Sequence, residues 1–337
     1  MNNKGVVLVM VLWVLLILSL VVWGLGRRSA QEVSLVETYR GKLRSYAAAR
    51  AGINDILDLL DRSPSTKDTL YASGITIEQT KSPEDIFGHI DAGRNAFALV
   101  QWPARNFSSM DAHLEFGLQD EEGRININAI GLTNFQILSA LLQINGLSPG
   151  DGDKLALAII NYTGLNAQPS NNNAFKDLND TLLKPKNKPY ENIFELLEVN
   201  GMTLKIFDKI KDDLTVYGDT QRGLWINLDT ASNNVIQAVA NAAARLNPSV
   251  NAADVMRQAY SIRDGADGQS FSADDGVGSL TGNMDPNWPV ALQEGRSNYY
   301  RARVVGVDND SGTRSVLDVV IHDSPGAQAE IVSWKRD

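Results

Sequence analysis

Few residues in this 337-residue chain have the types and spacing that chemistry needs. It has no cysteine, which excludes thiol catalysis, disulfide staples and cysteine-type zinc sites. Its histidines, His89, His113 and His322, stand far apart without metal-ligand spacing, and each reads as a packed or solvated side chain. No glycine-rich phosphate loop opens a helix, and there is no Walker lysine, Gly-x-Ser-x-Gly elbow or His-Glu-x-x-His pair. The remaining candidates are carboxylates. Asp120-Glu121-Glu122-Gly123 reads as a solvated turn at the point where strand-like text gives way to helical text. Asp264-Gly265-Ala266-Asp267-Gly268 and Asp274-Asp275-Gly276 set Asp264, Asp267, Asp274 and Asp275 on glycine-rich, loop-like backbone. Hard oxygen ligands on flexible loops suit Ca²⁺, although neither segment has EF-hand spacing and Asp-Gly pairs are common in turns. Calcium is therefore a candidate ligand, with no cofactor required, and Asp308 with Asp310 is a weaker candidate for the same ion. The net charge of −9 argues against a general nucleic-acid binder, which needs a basic face.

The element that positions everything else is at the N-terminus. Val6 to Gly26 is a run of 21 residues without a charge, which as a helix spans roughly 30 Å, the thickness of a hydrocarbon core. It is too long for a signal peptide and no small-residue cleavage site follows it. Arg27 and Arg28 close the span and can snorkel to headgroups. Helical periodicity continues through Val36, Tyr39, Leu43, Tyr46, Arg50, Ile53, Leu57 and Leu60, a seam broken only by Arg50, until Ser63-Pro64. This predicts one helix of about 55 residues, half in lipid and half amphipathic.

Lys4-Gly5 followed by an uncharged apolar helix resembles a type IV prepilin signal. That resemblance implies a short cytoplasmic leader (1–5), a peptidase that cuts after Gly5, and a mature chain beginning at Val6. Most prepilins carry a glutamate at the fifth mature position, where this chain has Met10. A carboxylate in the bilayer is tolerated only for a partner, and in pilins the partner is held to be the N-terminal amine of the subunit above. A tip subunit has none above it. Met10 therefore resembles the K-type minor pseudopilins of general (type II) secretion, the GspK family. The positive-inside rule weighs Lys4 against Arg27, Arg28 and Arg40 and points the other way, but a five-residue tail gives it little to act on.

Beyond the helix, Ile75-Thr76-Ile77, Ala96 to Val100 and Leu114 to Leu118 alternate with the period of half-buried strands. Asn298 to Val307 and Thr313 to Ile321 flank Asp308-Asn309-Asp310-Ser311-Gly312, a hairpin signal. Residues 125 to 283 between them are mostly helical. Ile125 to Ala129 is echoed by Ile226 to Ser232, each an extended stretch leading into a helix, the second with Thr230 or Ser232 as cap. Two helical hairpins turn at Asn145-Gly146 and Asn200-Gly201 and resemble helix-hairpin-helix units. DNA-binding turns of that kind hold a second glycine where this chain has Ser148 and Thr203, and although Lys205, Lys209 and Lys211 follow the second turn, neither turn sits in a basic cluster. Residues 164 to 192, with Asn171-Asn172-Asn173, read as a surface loop.

Glu195 to Thr203, Leu214 to Gly218 and Ile226 to Ser232 are similar, in order, to the head signature of K-type pseudopilins. The expected fold is α+β: a pilin-like long N-terminal helix on a small antiparallel sheet, with a large all-α helix-hairpin-helix or SAM-like insertion. The expected segments begin with a leader, 1–5, a transmembrane helix, 6–28, and its amphipathic extension, 29–62. A first pilin-like α+β stretch follows at 63–124, then the helical head at 125–283 and a closing pilin-like stretch at 284–337. The resemblance implies a non-enzymatic filament-tip subunit, single-pass in the bacterial inner membrane with its head in the periplasm. Its partners would be other minor pseudopilins, the prepilin peptidase and the inner-membrane secretion platform, and calcium has been associated with heads of this family. The competing readings are a DNA-binding competence or pilus component and, with no residue to support it, a membrane-anchored hydrolase.

Overall fold

A computed structural model describes residues 4–62, 83–93, 95–103, 114–164, 186–228, 230–265, 268, 291–293, 297–324 and 326–336. The first element, α1, runs unbroken from Lys4–Arg62, 59 residues, or about 90 Å at the helical rise. No proline falls inside it, and its apolar first half is rich in leucine and valine. One helix apolar enough to cross a membrane lies here, at Val7–Gly24, with none of that window buried.

The second half of α1 lies across an antiparallel sheet. Its central path is β1 (Ile90–Asp91), β2 (Ala96–Pro103), β9 (Tyr299–Asp308), β10 (Arg314–His322) and β11 (Glu330–Arg336). The short strands β3 (Leu114–Phe116) and β4 (Gln119–Asp120) attach to β2 and β9, and a single turn of helix, α2 (Pro83–Phe87), precedes β1. The β9–β10 hairpin pairs from Arg314 against Val307 to His322 against Tyr299, as its period of two predicts. Ile75-Thr76-Ile77 lies outside the described residues.

The helix meets the sheet with only the second half of the predicted seam: Ile53 and Leu60 are buried and Tyr46 and Leu57 partly so. Val36, Tyr39 and Leu43 face outward, and the buried face carries Gly41, Ser45, Ala48, Ala49, Gly52, Ile53, Ile56 and Leu60. Small residues win because the backbones approach closely. A Cβ on Gly52 would fall 2.7 Å from Ala98 Cβ and 3.0 Å from Val304 Cγ1. Ser45 and Ser315 hydroxyls pair at 2.8 Å inside this contact. Where the spacing widens, Ile53, Ile56 and Leu60 join Ala98, Val100, Tyr300, Ala302, Val304, Leu317 and Val319 in the core.

A helical head is inserted between β4 and β9, with a core of its own. Helix α3 (Phe135–Ile144) packs against α4 (Pro149–Tyr162) and α6 (Asn233–Leu246), and α6 packs against α7 (Ala252–Arg263). Ser232, not Thr230, caps α6, accepting from Val235 N. The head is not purely helical: β5 (Ile125–Asn126) pairs in parallel with β6 (Leu214–Thr215), and β7 (Trp225–Asn227) with β8 (Ala291–Gln293). Strands this short show no readable period. In the second hairpin the first arm is a 3₁₀ helix, Ile193–Glu198, and only the second, α5 (Leu204–Ile210), is α-helical.

Ion pairs also hold the head. Arg245 on α6 grips Asp153 on α4 through two bonds of 2.6 Å. Donation from Arg245 holds the Asp153 carboxyl below its ordinary value of 3.8. A depressed folded value means that this stabilisation is present above the unfolded value near 3.8 and is lost as pH falls through the folded one. Asp308, held low chiefly by Ser311, adds the same sign. Asp120, raised by burial, has the opposite sign: its share is full below 3.8 and lost as pH rises through its folded value. Thermal melts at pH 5 and pH 3 should therefore show a smaller acid-induced fall for Asp153→Asn than for the unaltered protein. An equal fall would remove this pair from the acid response.

Candidate functional site

Among the described residues, most of the large apolar side chains left uncovered lie on α1. Along α1 the side chains from Val7 to Trp23 are exposed, and Met10 is 66 % exposed. Gly5 and Val6 lie in the first turn of α1. No acidic residue precedes Glu32, so no carboxylate lies in the span.

The exposed apolar strip continues past the arginines through Val33, Leu35, Val36, Tyr39 and Leu43. It ends beside the sheet edge, where Tyr46 meets Trp334 edge-on at 6.4 Å and Arg336 sits 4.9 Å over the Tyr46 ring. The strand carrying them, β11, ends the central path of the sheet, and Ile331, Val332 and Trp334 on it are exposed. Singly exposed apolar residues are ordinary, but a cluster of this size marks an interaction surface. The seam residues Val36, Tyr39 and Leu43 therefore have the helical spacing expected of them but the opposite use. They do not pack on the protein's own sheet.

The two hairpin turns also find their explanation. Gly146 and Gly201 adopt φ of +103° and +89°, open to glycine without strain. Ser148 and Thr203 are N-caps, accepting from Asp151 N and Ile206 N at 3.2 Å each. One amide at each helix start is thus already bonded to its cap, and Asp151 adds negative charge at the first. Lys209 donates to Asn145 O at 2.8 Å, tying one hairpin to the end of the other, and Lys211 pairs with Asp208.

The acidic cluster corrects the expectation of a solvated turn. Asp120, Glu121 and Glu122 are buried at the junction of head and sheet. Asp120 accepts from Asn227 at 2.9 Å, Thr230 at 2.6 Å, Ser297 at 2.6 Å and the amide of Glu122 at 2.7 Å. Burial pushes its carboxyl up, against those four bonds. Glu121 accepts from Thr215 and pairs with Arg301 at 2.7 Å and Arg124 at 3.2 Å. Apart from Arg124 and the Glu122 amide, these partners are distant in sequence, so nothing local announces them.

Of the calcium candidates, Asp267, Asp274 and Asp275 lie outside the described residues. Asp264 has both oxygens engaged by Arg263, at 2.7 and 2.9 Å. Asp310 accepts from Arg44 at 2.5 Å and Asn95 at 2.6 Å, while Asp308 accepts from Ser311. Positive and neutral donors of this chain thus already serve the described carboxylates. Among the described residues no group of three or more His, Asp or Glu is placed to hold a metal. His89 stacks on Phe97 and His322 on Tyr299, each at 4.4 Å, and His113 lies outside the described residues.

No protein-family model and no curated protein matches this sequence. Among solved structures, a chain of the crystal structure of the GspK-GspI-GspJ complex from the enterotoxigenic Escherichia coli Type 2 Secretion System matches with a TM-score of 0.50 and 14% identity. The match covers 92% of this chain and 98% of that one. This chain shares that fold. Coverage so complete means that the likeness takes in helix, sheet and head together, because α1 alone is only 59 of 337 residues. The architecture is α+β and pilin-like, with antiparallel strands under the long helix and a helical insertion.

Proposed function

We propose that this protein is a minor pseudopilin of a type II secretion system, placed at the tip of the pseudopilus that exports folded proteins from the periplasm. The observation that carries the proposal is the architecture shared along nearly the full length of both chains, inserted head included. In this reading α1 holds the subunit in the inner membrane, head in the periplasm, until the prepilin peptidase cuts between Gly5 and Val6. The secretion platform then moves it into the filament. The uncovered strip from Val33 to Leu43, with the β11 edge, would receive two other minor pseudopilins, as GspI and GspJ accompany GspK in the solved complex. No enzymatic step and no obligatory cofactor belong to the proposal. Calcium on Asp264 would require it to give up Arg263.

Met10 supplies the test of the tip position. Met10→Glu restores the carboxylate usual in pilins, with no subunit above to neutralise it. An unpartnered carboxylate in the apolar span costs about 3 kcal/mol. Secretion of a folded reporter, in a strain whose own gene is deleted, should fall several-fold relative to unaltered protein, with subunit levels unchanged. Full secretion by Met10→Glu would defeat the tip assignment. The DNA-binding alternative is not favoured, since Ser148 and Thr203 each cap one turn amide, Asp151 places negative charge at the first turn, and the net charge is −9.

A further inference from the structure

The described apolar residues form two separate cores, one in the head around Leu138, Leu141 and Val235, the other between α1 and the sheet around Ile56, Tyr300 and Val304. No residue belongs to both. What lies between them is polar and buried. Asp120, on the sheet strand β4, accepts from Asn227 and Thr230 of the head and from Ser297, where the chain returns to the sheet. Glu121 joins Thr215 of the head to Arg301 of β9. Glu122 accepts from the amide of Asn298, and its carbonyl from the amide of Asn227 at 2.8 Å. A Cβ on Gly123 would fall 2.8 Å from the Thr230 carbonyl, so the backbones also meet without slack.

An apolar contact of equal size tolerates sliding, because hydrophobic burial has no direction. A buried layer of charges behaves differently. A small rotation of the head would take Asn227 and Thr230 from Asp120 and Thr215 from Glu121, leaving buried carboxylates under-satisfied in a dry site, which is strongly unfavourable. Apart from the Glu121–Arg301 pair, each of these bonds crosses from the head or its return segment to the sheet or junction. We infer that the Asp120–Glu121–Glu122 layer is an orientation lock, which holds the helical head at one angle to α1 and the sheet. The head's own fold rests on its separate core and does not need the layer. The lock operates whether or not the chain serves in secretion.

The chain has no cysteine, so a pair of labels is specific without further engineering. Lys205 on α5 and Arg314 on β10 are exposed, one on each body. With Lys205→Cys and Arg314→Cys carrying spin labels on the full chain in lipid nanodiscs, the unaltered junction should give one narrow distance distribution. Asp120→Ala should at least double its width while helix content and the melting of the head persist. Should Asp120→Ala fail to fold, Thr230→Val and Ser297→Ala together decide by the same width, since they remove donors while keeping the Asp120 side chain in place. A broad distribution in the unaltered chain, or a width unchanged in a folded junction variant, overturns the lock. Secretion is not read in this measurement, so its failure and that of the secretion role are separable.

Discussion

Gly5→Ala is expected to leave the leader in place and abolish function. The bond between Gly5 and Val6 lies in the first turn of α1, where the backbone amides lack partners within the helix and the turn frays most easily. A peptidase needs that backbone drawn out and closely held, and a side chain at the residue whose carbonyl is attacked obstructs the approach. Failure to cut has a second cost. Lys4 would remain on the apolar helix, and carrying an ammonium group into a filament core is strongly unfavourable unless it is paired. Insertion should be normal, because the Val7–Gly24 span is untouched. Intact-mass measurement of purified protein should therefore give a chain beginning at Val6 for the natural sequence and at Met1 for Gly5→Ala, with reporter secretion lost in the variant. Normal cleavage and secretion in Gly5→Ala would leave only an anchored protein of this fold.

What could be read from sequence depended on how local the signal was. Helix α1 was legible because length, hydropathy and the absence of proline act over tens of residues. The β9–β10 hairpin was legible because alternation and a turn-forming loop are contiguous. The face α1 uses was legible only in part: Ile53 and Leu60 of the seam are buried, but periodicity weights large apolar residues. Close helix–sheet packing instead selects small ones, and the four-residue spacing of Gly41, Ser45 and Ala49 was present but carried little hydropathy. The same bias hid the candidate assembly strip. Val36, Tyr39 and Leu43 looked like core, but residues 32–40 are exposed on every side of α1 and Leu43 lies opposite the buried face. Asp120 to Glu122 misled for a different reason. An acidic run beside glycine is usually solvated, and the donors that make burial tolerable, Asn227, Thr230 and Ser297, are more than a hundred residues away.

The small-residue contact makes Gly306→Val the most damaging single substitution expected outside the leader. Gly306 is buried on β9, and a Cβ there would overlap the carbonyl oxygen of Ser45 and the amide nitrogen of Ala49, with Ala49 Cα at 3.0 Å. These are backbone atoms of α1, so no rotamer change relieves the clash. The helix must lift from the sheet, which opens the Ser45–Ser315 hydrogen bond and weakens the burial of Ile53, Ile56 and Leu60. Overpacking of this kind costs about 3 kcal/mol or more, a fall of roughly 6–12 °C in the melting midpoint of the sheet unit. The contrast is Gly150→Ala, at the exposed start of α4, where nothing lies within 4 Å of a Cβ. Helix propensity should make that change neutral or stabilising by a few tenths of a kcal/mol, at most about 1. If calorimetry found Gly306→Val as stable as the natural chain, the helix would have to ride higher on the sheet than this packing allows. The exposure of Leu43 would then lose its structural basis, since it is Gly41, Ser45 and Ala49 turned inward that turn Leu43 out.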